Sequence, residues 1–315
     1  MNEKTKLLLA NPRGFCAGVD RAIEIVNRAL HMFGSPIYVK HEVVHNKAVV
    51  NDLKNRGAIF IEEISDVPDN SIIIFSAHGV SSKIEESVKA RNLQFFDATC
   101  PLVTKVHMEV IRHGRVNRDI ILIGHEGHPE VEGTMGRYSS QDGQIYLVQD
   151  LDEAKNVSVN QPENVAYVSQ TTLSVDETKD IIYELTRKFP NITGPKKDDI
   201  CYATQNRQDA VKQLALETDF IIVVGSKASS NSNRLKELAN KCGVNSVLID
   251  EFNDLDLDKL KDCKNIGLTA GASAPESKIQ EIISNLSTFL DAEIEEKGGV
   301  KENIYFKLPP ELRAS

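Results

Sequence analysis

No apolar run in this 315-residue sequence reaches the roughly 18–20 residues needed to span a membrane. The first one, Leu7–Ala10, is stopped after four residues by Asn11 and Pro12, so the N-terminus lacks the h-region of an export signal. That absence points to the cytoplasm. No stretch concentrates Lys and Arg, the net charge is −9 and the pI near 5.5, which argues against nucleic acid as a partner. An acidic balance still permits a small anionic ligand, because local donors decide that. No two cysteines form a CxxC pair, so a zinc ribbon is excluded. No histidine lies beyond His128; all eight fall between His31 and His128, which places most imidazole chemistry in the first two-fifths of the chain.

What is present reads as a soluble enzyme of two or three units, 41% hydrophobic and 26% charged. Its five cysteines, in a large reduced protein, suit metal binding or catalysis better than structural disulfides. Cys242 and Cys263 sit in ordinary polar surroundings. The other three share a context: LLLANPRGFCAG (7–18), LQFFDATCPLVTK (93–105) and ITGPKKDDICYATQNR (192–207) each place a cysteine where a strand end meets a helix start. Cys16, Cys100 and Cys201 are 84 and 101 residues apart.

The chain between them repeats. Val19, Ala22, Ile23, Val26, Ala29, Leu30 and Phe33 have helical spacing over 17–33, closed by Gly34. Further helices are expected at about 46–55, 82–91, 101–114 and 175–188, after Cys201, and up to Leu290. Apolar runs between them predict strands. From each cysteine to the end of a first polar loop is 29, 28 and 30 residues (His45, His128, Asn231); to a second loop it is 62, 71 and 72 (His78, Thr171, Ser273). Ser82/Glu85, Ser174/Glu177 and Ser273/Glu276 match capping boxes at corresponding places. A threefold repeat follows. Strands alternating with helices imply an α/β fold of parallel βαβ modules, whose polar loops lie at strand carboxyl ends, where such sheets bind ligands. The expected modules are 18–100, 101–197 and 198–285, the last taking its first strand from 1–17; the tail 286–315 is expected to be irregular or an added strand.

Three thiolates at helix starts are favoured by the macrodipole and unpaired N–H groups. They suit an iron–sulfur cluster with one iron lacking a protein ligand. The loops add His45, His78, His125, His128, Thr171, Thr172, Ser226, Ser229, Ser230, Asn231 and Ser273, with glycines that let backbone approach; this donor set fits a phosphate or diphosphate. Taken alone, each histidine reads as a core or surface residue and Ser229-Ser230-Asn231 as a helix cap. Glu130 stands out among Glu126 and Glu132 as a carboxyl that a bound anion would drive toward protonation, and hence a proton donor. An ordinary first-turn helix acid is the alternative.

Together, NPRGFCAGVDRAI (11–23), HEVVHN (41–46), FSAHGVS (75–81), DATCPLVTKVH (97–107), GHPEVEGT (127–134), QTTLS (170–174), DDICYATQNRQ (198–208), GSKASSNSNRL (225–235) and TAGASAP (269–275) closely resemble the LytB-type 4-hydroxy-3-methylbut-2-enyl diphosphate reductases, over nearly the whole chain. The resemblance implies a trefoil of three α/β modules with parallel sheets around one 4Fe–4S cluster per chain, ligated by Cys16, Cys100 and Cys201. It implies a diphosphate site of His45, His78, His128, Ser229, Ser230, Asn231 and Ser273, with Thr171 at the substrate hydroxyl and Glu130 in the proton path. The implied activity is reductive dehydroxylation of the allylic diphosphate to isopentenyl and dimethylallyl diphosphate by two one-electron transfers, with ferredoxin or flavodoxin as donor. The rival readings are a non-redox dehydratase like quinolinate synthase, an iron–sulfur oxygen sensor and a zinc site with three cysteine ligands.

Overall fold

The structure is a computed structural model and describes residues 4–313. Residues 1–3 and 314–315, the extreme ends of the expected N-terminal strand segment and tail, lie outside the described residues. The strands are β1 (Lys6–Leu9), β2 (Ile37–Lys40), β3 (Ala58–Ile61), β4 (Ile72–Phe75), β5 (Gln94–Asp97), β6 (Asp119–Ile123), β7 (Ile145–Val148), β8 (Val165–Ser169), β9 (Phe220–Val224), β10 (Asn245–Ile249), β11 (Asn265–Ala270) and β12 (Glu293–Glu296). The helices are α1 (Ala17–Phe33), α2 (Lys47–Asn55), α3 (Ser82–Ala90), α4 (Pro101–Gly114), α5 (Pro129–Met135), α6 (Leu151–Asn156), α7 (Val175–Lys188), α8 (Tyr202–Leu214), α9 (Ser230–Lys241) and α10 (Glu276–Leu290). No helix among the described residues is long and apolar enough to cross a membrane.

The fold is α/β with three sheets, ordered β3-β2-β4-β5, β7-β6-β8 and β10-β9-β11-β1-β12. Every pairing is parallel. Central strands such as β6 (DIILI) and β9 (FIIVV) are buried along their whole length, as expected when helices cover both faces of a parallel sheet. The same order recurs in each sheet: an outer strand, a first central strand, a second central strand, then the segment that leads to a cysteine. In the first sheet that segment is β5 and in the third it is β1. In the second it is only Thr193, which makes a lone parallel bridge with Ala166. The strand expected before Cys201 is thus reduced to one residue. The sequence there is TGPKKDD, and its Pro195 and charges cannot sustain a ladder.

Most helix bounds match the periodicity, but of the three serines expected to cap, only Ser174 does so. The cap of α3 is Ser81, whose hydroxyl accepts from the Ile84 N–H, while Glu85 pairs with Lys89 and Arg137. Ser174 does cap α7, accepting from the Glu177 N–H. Pro275 precedes α10, and Ser273 points its hydroxyl elsewhere. The expected tail strand is β12, parallel to β1.

The chain divides into two compact units. One contains Met1–Ala17, His45–Val49 and Tyr202–Tyr305, with the five-stranded sheet and an aliphatic core on both sheet faces. Here Gly271 follows β11, and a Cβ on it would lie 2.0 Å from the buried Ser232 hydroxyl. Gly271→Ala should therefore cost about 1–3 kcal/mol through overpacking. Adding Ser232→Ala, which deletes that oxygen, should restore most of the loss in a thermal double-mutant cycle. Additive losses would show that the clash is elsewhere. The other unit contains Gly18–Val44, Val50–Cys201 and Phe306–Ser315, with the four- and three-stranded sheets.

Candidate active site

Each of the three cysteines immediately precedes the first residue of a helix: Ala17 of α1, Pro101 of α4 and Tyr202 of α8. Each is half-buried. Their main chains are held in one repeated way. The Cys16 N–H donates to Ala272 O (3.3 Å), Cys100 N–H to Ala77 O (3.0 Å) and Cys201 N–H to Thr171 O (3.0 Å). Every acceptor is the second residue past the end of a central strand: β11, β4 and β8. The next residue in each case, Ser273, His78 or Thr172, belongs to the polar loops picked out in the sequence. The backbone thus sets three cysteines beside three strand-end loops in equivalent fashion.

In the unit built on β1, β9 and β11, Cys16 lies beside the loop that carries Ser273. The Ser273 hydroxyl donates to His45 O (3.1 Å) and lies 3.4 Å from the Ser229 hydroxyl. Ser229 caps α9, accepting from the Ser232 N–H. Ser226 supports the approach by accepting from the Ala228 N–H at 3.2 Å. Cys16, His45, Ser226, Ser229, Ser230, Asn231 and Ser273 are therefore brought together at strand carboxyl ends and a helix N-terminus, a ready anion site. Asn231 is 4% exposed, and its Oδ1 and Nδ2 have no hydrogen-bond partner among the described residues. A buried amide left so costs stability; it is what a pocket awaiting a polar ligand would show.

In the other unit the remaining residues form a chain of contacts. His78 follows β4, beside the Ala77 carbonyl that holds Cys100. Its ring meets that of His128 edge-on, centroids 5.7 Å apart. Gly133 of α5 allows this: a Cβ there would press to 3.2 Å of Gly79 O. His128 caps α5, its Nδ1 accepting from the Glu130 N–H at 3.1 Å. That bond assigns the ring proton to Nε2, which makes His128 a neutral donor. Glu130 turns inward, 3% exposed, with Oε1 accepting from the Thr171 N–H (2.6 Å) and Oε2 3.0 Å from the Thr171 hydroxyl. Its rivals Glu126 and Glu132 are both exposed. Burial pushes the Glu130 carboxyl up to about 7; the two Thr171 bonds pull the other way, and the charge of Asp199 adds to the rise. A backbone N–H can only donate, so Oε1 stays an acceptor. The proton of the acid form therefore sits on Oε2, facing the Thr171 hydroxyl.

His125 and Thr172 are joined through Gln170, which accepts from the His125 N–H (3.1 Å) and donates to the Thr172 hydroxyl (2.9 Å). Nothing in the sequence pattern singles out Gln170. The same holds for His107, whose ring lies where a Cβ on Gly79 would come within 2.5 Å. Burial, then the Arg137 charge, lower His107 to about 4, so it packs as a neutral ring. Its place two helical turns after Cys100 is the one available signal. Asp199 is a third residue that spacing does not reveal. It is buried, takes the Ser169 N–H (3.0 Å) and Lys105 Nζ (3.0 Å), and is pushed up to about 6 chiefly by burial.

The family model described as LytB protein matches residues 7–287. The chain is 60% identical over 309 residues to the 4-hydroxy-3-methylbut-2-enyl diphosphate reductase of Saccharophagus degradans, covering 98% of this chain and 99% of that protein. It is 57% identical to the protein of the same description from Methylococcus capsulatus, over 98% of each. Among solved structures, the E-1-hydroxy-2-methyl-but-2-enyl-4-diphosphate reductase from Plasmodium falciparum superposes with a TM-score of 0.94 at 41% identity, covering 98% of this chain and 97% of that one. A structure of (E)-4-hydroxy-3-methyl-but-2-enyl diphosphate reductase, described as the terminal enzyme of the non-mevalonate pathway, gives 0.63 at 31% identity, covering 90% and 99%. With both the family model and these relatives spanning most of its length, the chain belongs to the LytB family.

Proposed function

We propose that this chain reduces (E)-4-hydroxy-3-methylbut-2-enyl diphosphate to isopentenyl and dimethylallyl diphosphate, the final step of the non-mevalonate route to isoprenoids. The observation that carries the reading is the repeated anchoring of Cys16, Cys100 and Cys201, three half-buried thiols each at a helix start and each held by a strand-end carbonyl. Helix starts favour thiolate, and three thiolates with no fourth partner fit a 4Fe–4S cluster that keeps one iron open. Held by these cysteines, the cluster would supply the two electrons, one at a time, and a Lewis-acidic iron.

The protein's own residues do the rest. His45, His78, His128, Ser229, Ser230, Asn231 and Ser273 bind the diphosphate through side-chain donors and the α9 N-terminus. The few fixed charges keep the anion exchangeable. Thr171 holds the substrate hydroxyl end and Glu130 Oε2 passes a proton through it, so that the C–O bond breaks and the hydroxyl leaves as water. Two electrons and two protons balance the change. Reduced ferredoxin or flavodoxin would be the donor, and the cytoplasm the place of reaction.

Protein purified without oxygen is expected to be brown, to carry iron and sulfide, and to convert the hydroxy-allylic diphosphate to both products with a reduced donor. Colourless protein with stoichiometric zinc would overturn the cluster assignment. Turnover without electron consumption would favour a dehydratase.

A further inference from the structure

Five, five and six residues past Cys16, Cys100 and Cys201 stand Arg21, Lys105 and Arg207, each on the helix that its cysteine opens. Each reaches the chain ahead of a different cysteine. Arg21 of α1 donates to Thr99 O (3.1 Å) and Asp97 O (3.3 Å), just ahead of Cys100. Lys105 of α4 donates to Lys197 O (2.6 Å), Asp198 O (3.1 Å) and the Asp199 carboxylate (3.0 Å), just ahead of Cys201. Arg207 of α8 donates to Gly14 O (3.1 and 2.7 Å) and Phe15 O (3.2 Å), just ahead of Cys16. The order is cyclic: the Cys16 helix ties the chain entering Cys100, the Cys100 helix ties that entering Cys201, and the Cys201 helix ties that entering Cys16.

The C-terminal segment completes two of these ties. Lys307 O accepts from Arg21 Nε at 2.9 Å. Glu302 meets Arg207 with both oxygens, 3.0 Å to one guanidinium nitrogen and 3.3 Å to the other. Arg207 is fully buried, so Glu302 is what makes its charge tolerable there. Arg207 spreads its guanidinium donors over Gly14 O, Phe15 O, Ala203 O and both Glu302 oxygens; an ammonium, with three donors at one point, cannot serve them all.

We propose that Arg21, Lys105 and Arg207 are positioning residues for the three cysteines, each transmitting the placement of one cysteine's helix to the loop that presents the next. The inference rests on the three cysteines being ligands of one cluster, as proposed above. Each cysteine's loop is thereby tied to the helix that another cysteine opens.

The test is site-resolved alkylation of the cluster-free full-length protein, followed by peptide mass spectrometry with exposed Cys242 as internal standard. Arg207→Lys should raise the labelling rate of Cys16, Arg21→Lys that of Cys100, and Lys105→Met that of Cys201. Each rise should be at least about tenfold, the factor for one lost charge-assisted hydrogen bond. General loosening would raise all three together, and a purely local role would raise the cysteine on the same helix; either pattern overturns the proposal. If Arg207→Lys does not fold, the Arg21→Lys and Lys105→Met variants carry the test: labelling of Cys100 and of Cys201 must each rise selectively, and an unchanged rate at either one overturns the proposal. Iron and sulfide measured after reconstitution separate the two readings: wild-type protein that assembles no cluster refutes the ligand assignment, whereas a wild-type cluster with an unpermuted labelling pattern refutes only the positioning scheme.

Discussion

Glu130→Gln should leave iron and sulfide content unchanged and lower turnover by about 10²–10⁴-fold, the usual worth of a positioned acid. The amide is isosteric. Its oxygen can still accept from the Thr171 N–H and its nitrogen can donate to the Thr171 hydroxyl, so the packing around both survives. Only the transferable proton is lost. Because the carboxyl is pushed up to about 7, wild-type turnover should fall as pH rises through neutrality, and the variant should lose that limb. Folding stability should fall along the same pH course in the wild type. The folded state binds this proton more tightly than the unfolded chain, whose carboxyl titrates near 4.5. The stabilisation is complete below about 4.5 and is lost as pH rises through about 7, where ionising the buried group costs about 3 kcal/mol. Glu130→Gln carries no such cost, so above pH 7 it should be the more stable protein in urea titrations between about pH 5 and 9. Near-normal turnover, or an unaltered pH limb, would remove Glu130 from the proton path.

Asn231→Asp should raise KM by on the order of 10³-fold, with a far smaller change in kcat. The substitution preserves shape and adds one negative charge to a residue that is 4% exposed. At about 4 Å and an effective dielectric near 20, two like charges repel by about 4 kcal/mol, which is roughly a thousandfold in affinity. Asn231→Ala removes only hydrogen bonds to an anion, worth about 1.5–3 kcal/mol, and should cost about 10–150-fold. Lowering the pH protonates the introduced carboxyl, so the Asp variant should recover affinity toward acid pH while the Ala variant should not. Competition by inorganic diphosphate reads the same difference without turnover. Equal KM values for the two variants would show that no anion sits beside this side chain.

The parts of the fold legible in the sequence are those governed by local periodicity. The apolar stripe of α1 and the aliphatic strands need no tertiary information. What depends on distant partners is hidden. Ser273 has the spacing of a cap, yet its hydroxyl goes to His45, more than two hundred residues away in the chain. Ser81, not Ser82, caps α3; the Ser82 N–H goes instead to the Gly136 carbonyl, more than fifty residues on, which sequence spacing does not register. Thr193 keeps one bridge where the pattern predicts a strand. Spacing does not separate Glu130 from Glu126 and Glu132, because what distinguishes it is burial against Thr171. Arg207 is the least legible. It stands in the polar run ATQNRQ, which reads as a solvated helix face, yet it is fully buried because Glu302 from the tail covers its charge.

The place of β1 has a consequence for biosynthesis. It lies between β11 and β12, with Lys6 opposite Asn265 on one side and Glu293 on the other. β1 is synthesised well before β11 and β12, so its backbone stays without these partners until they emerge. Until then Cys16 rides on an extended, unpaired peptide, even though Cys100 already has its strand neighbours. A nascent chain stalled before residue 265 has a β1 edge open to the wrong partner.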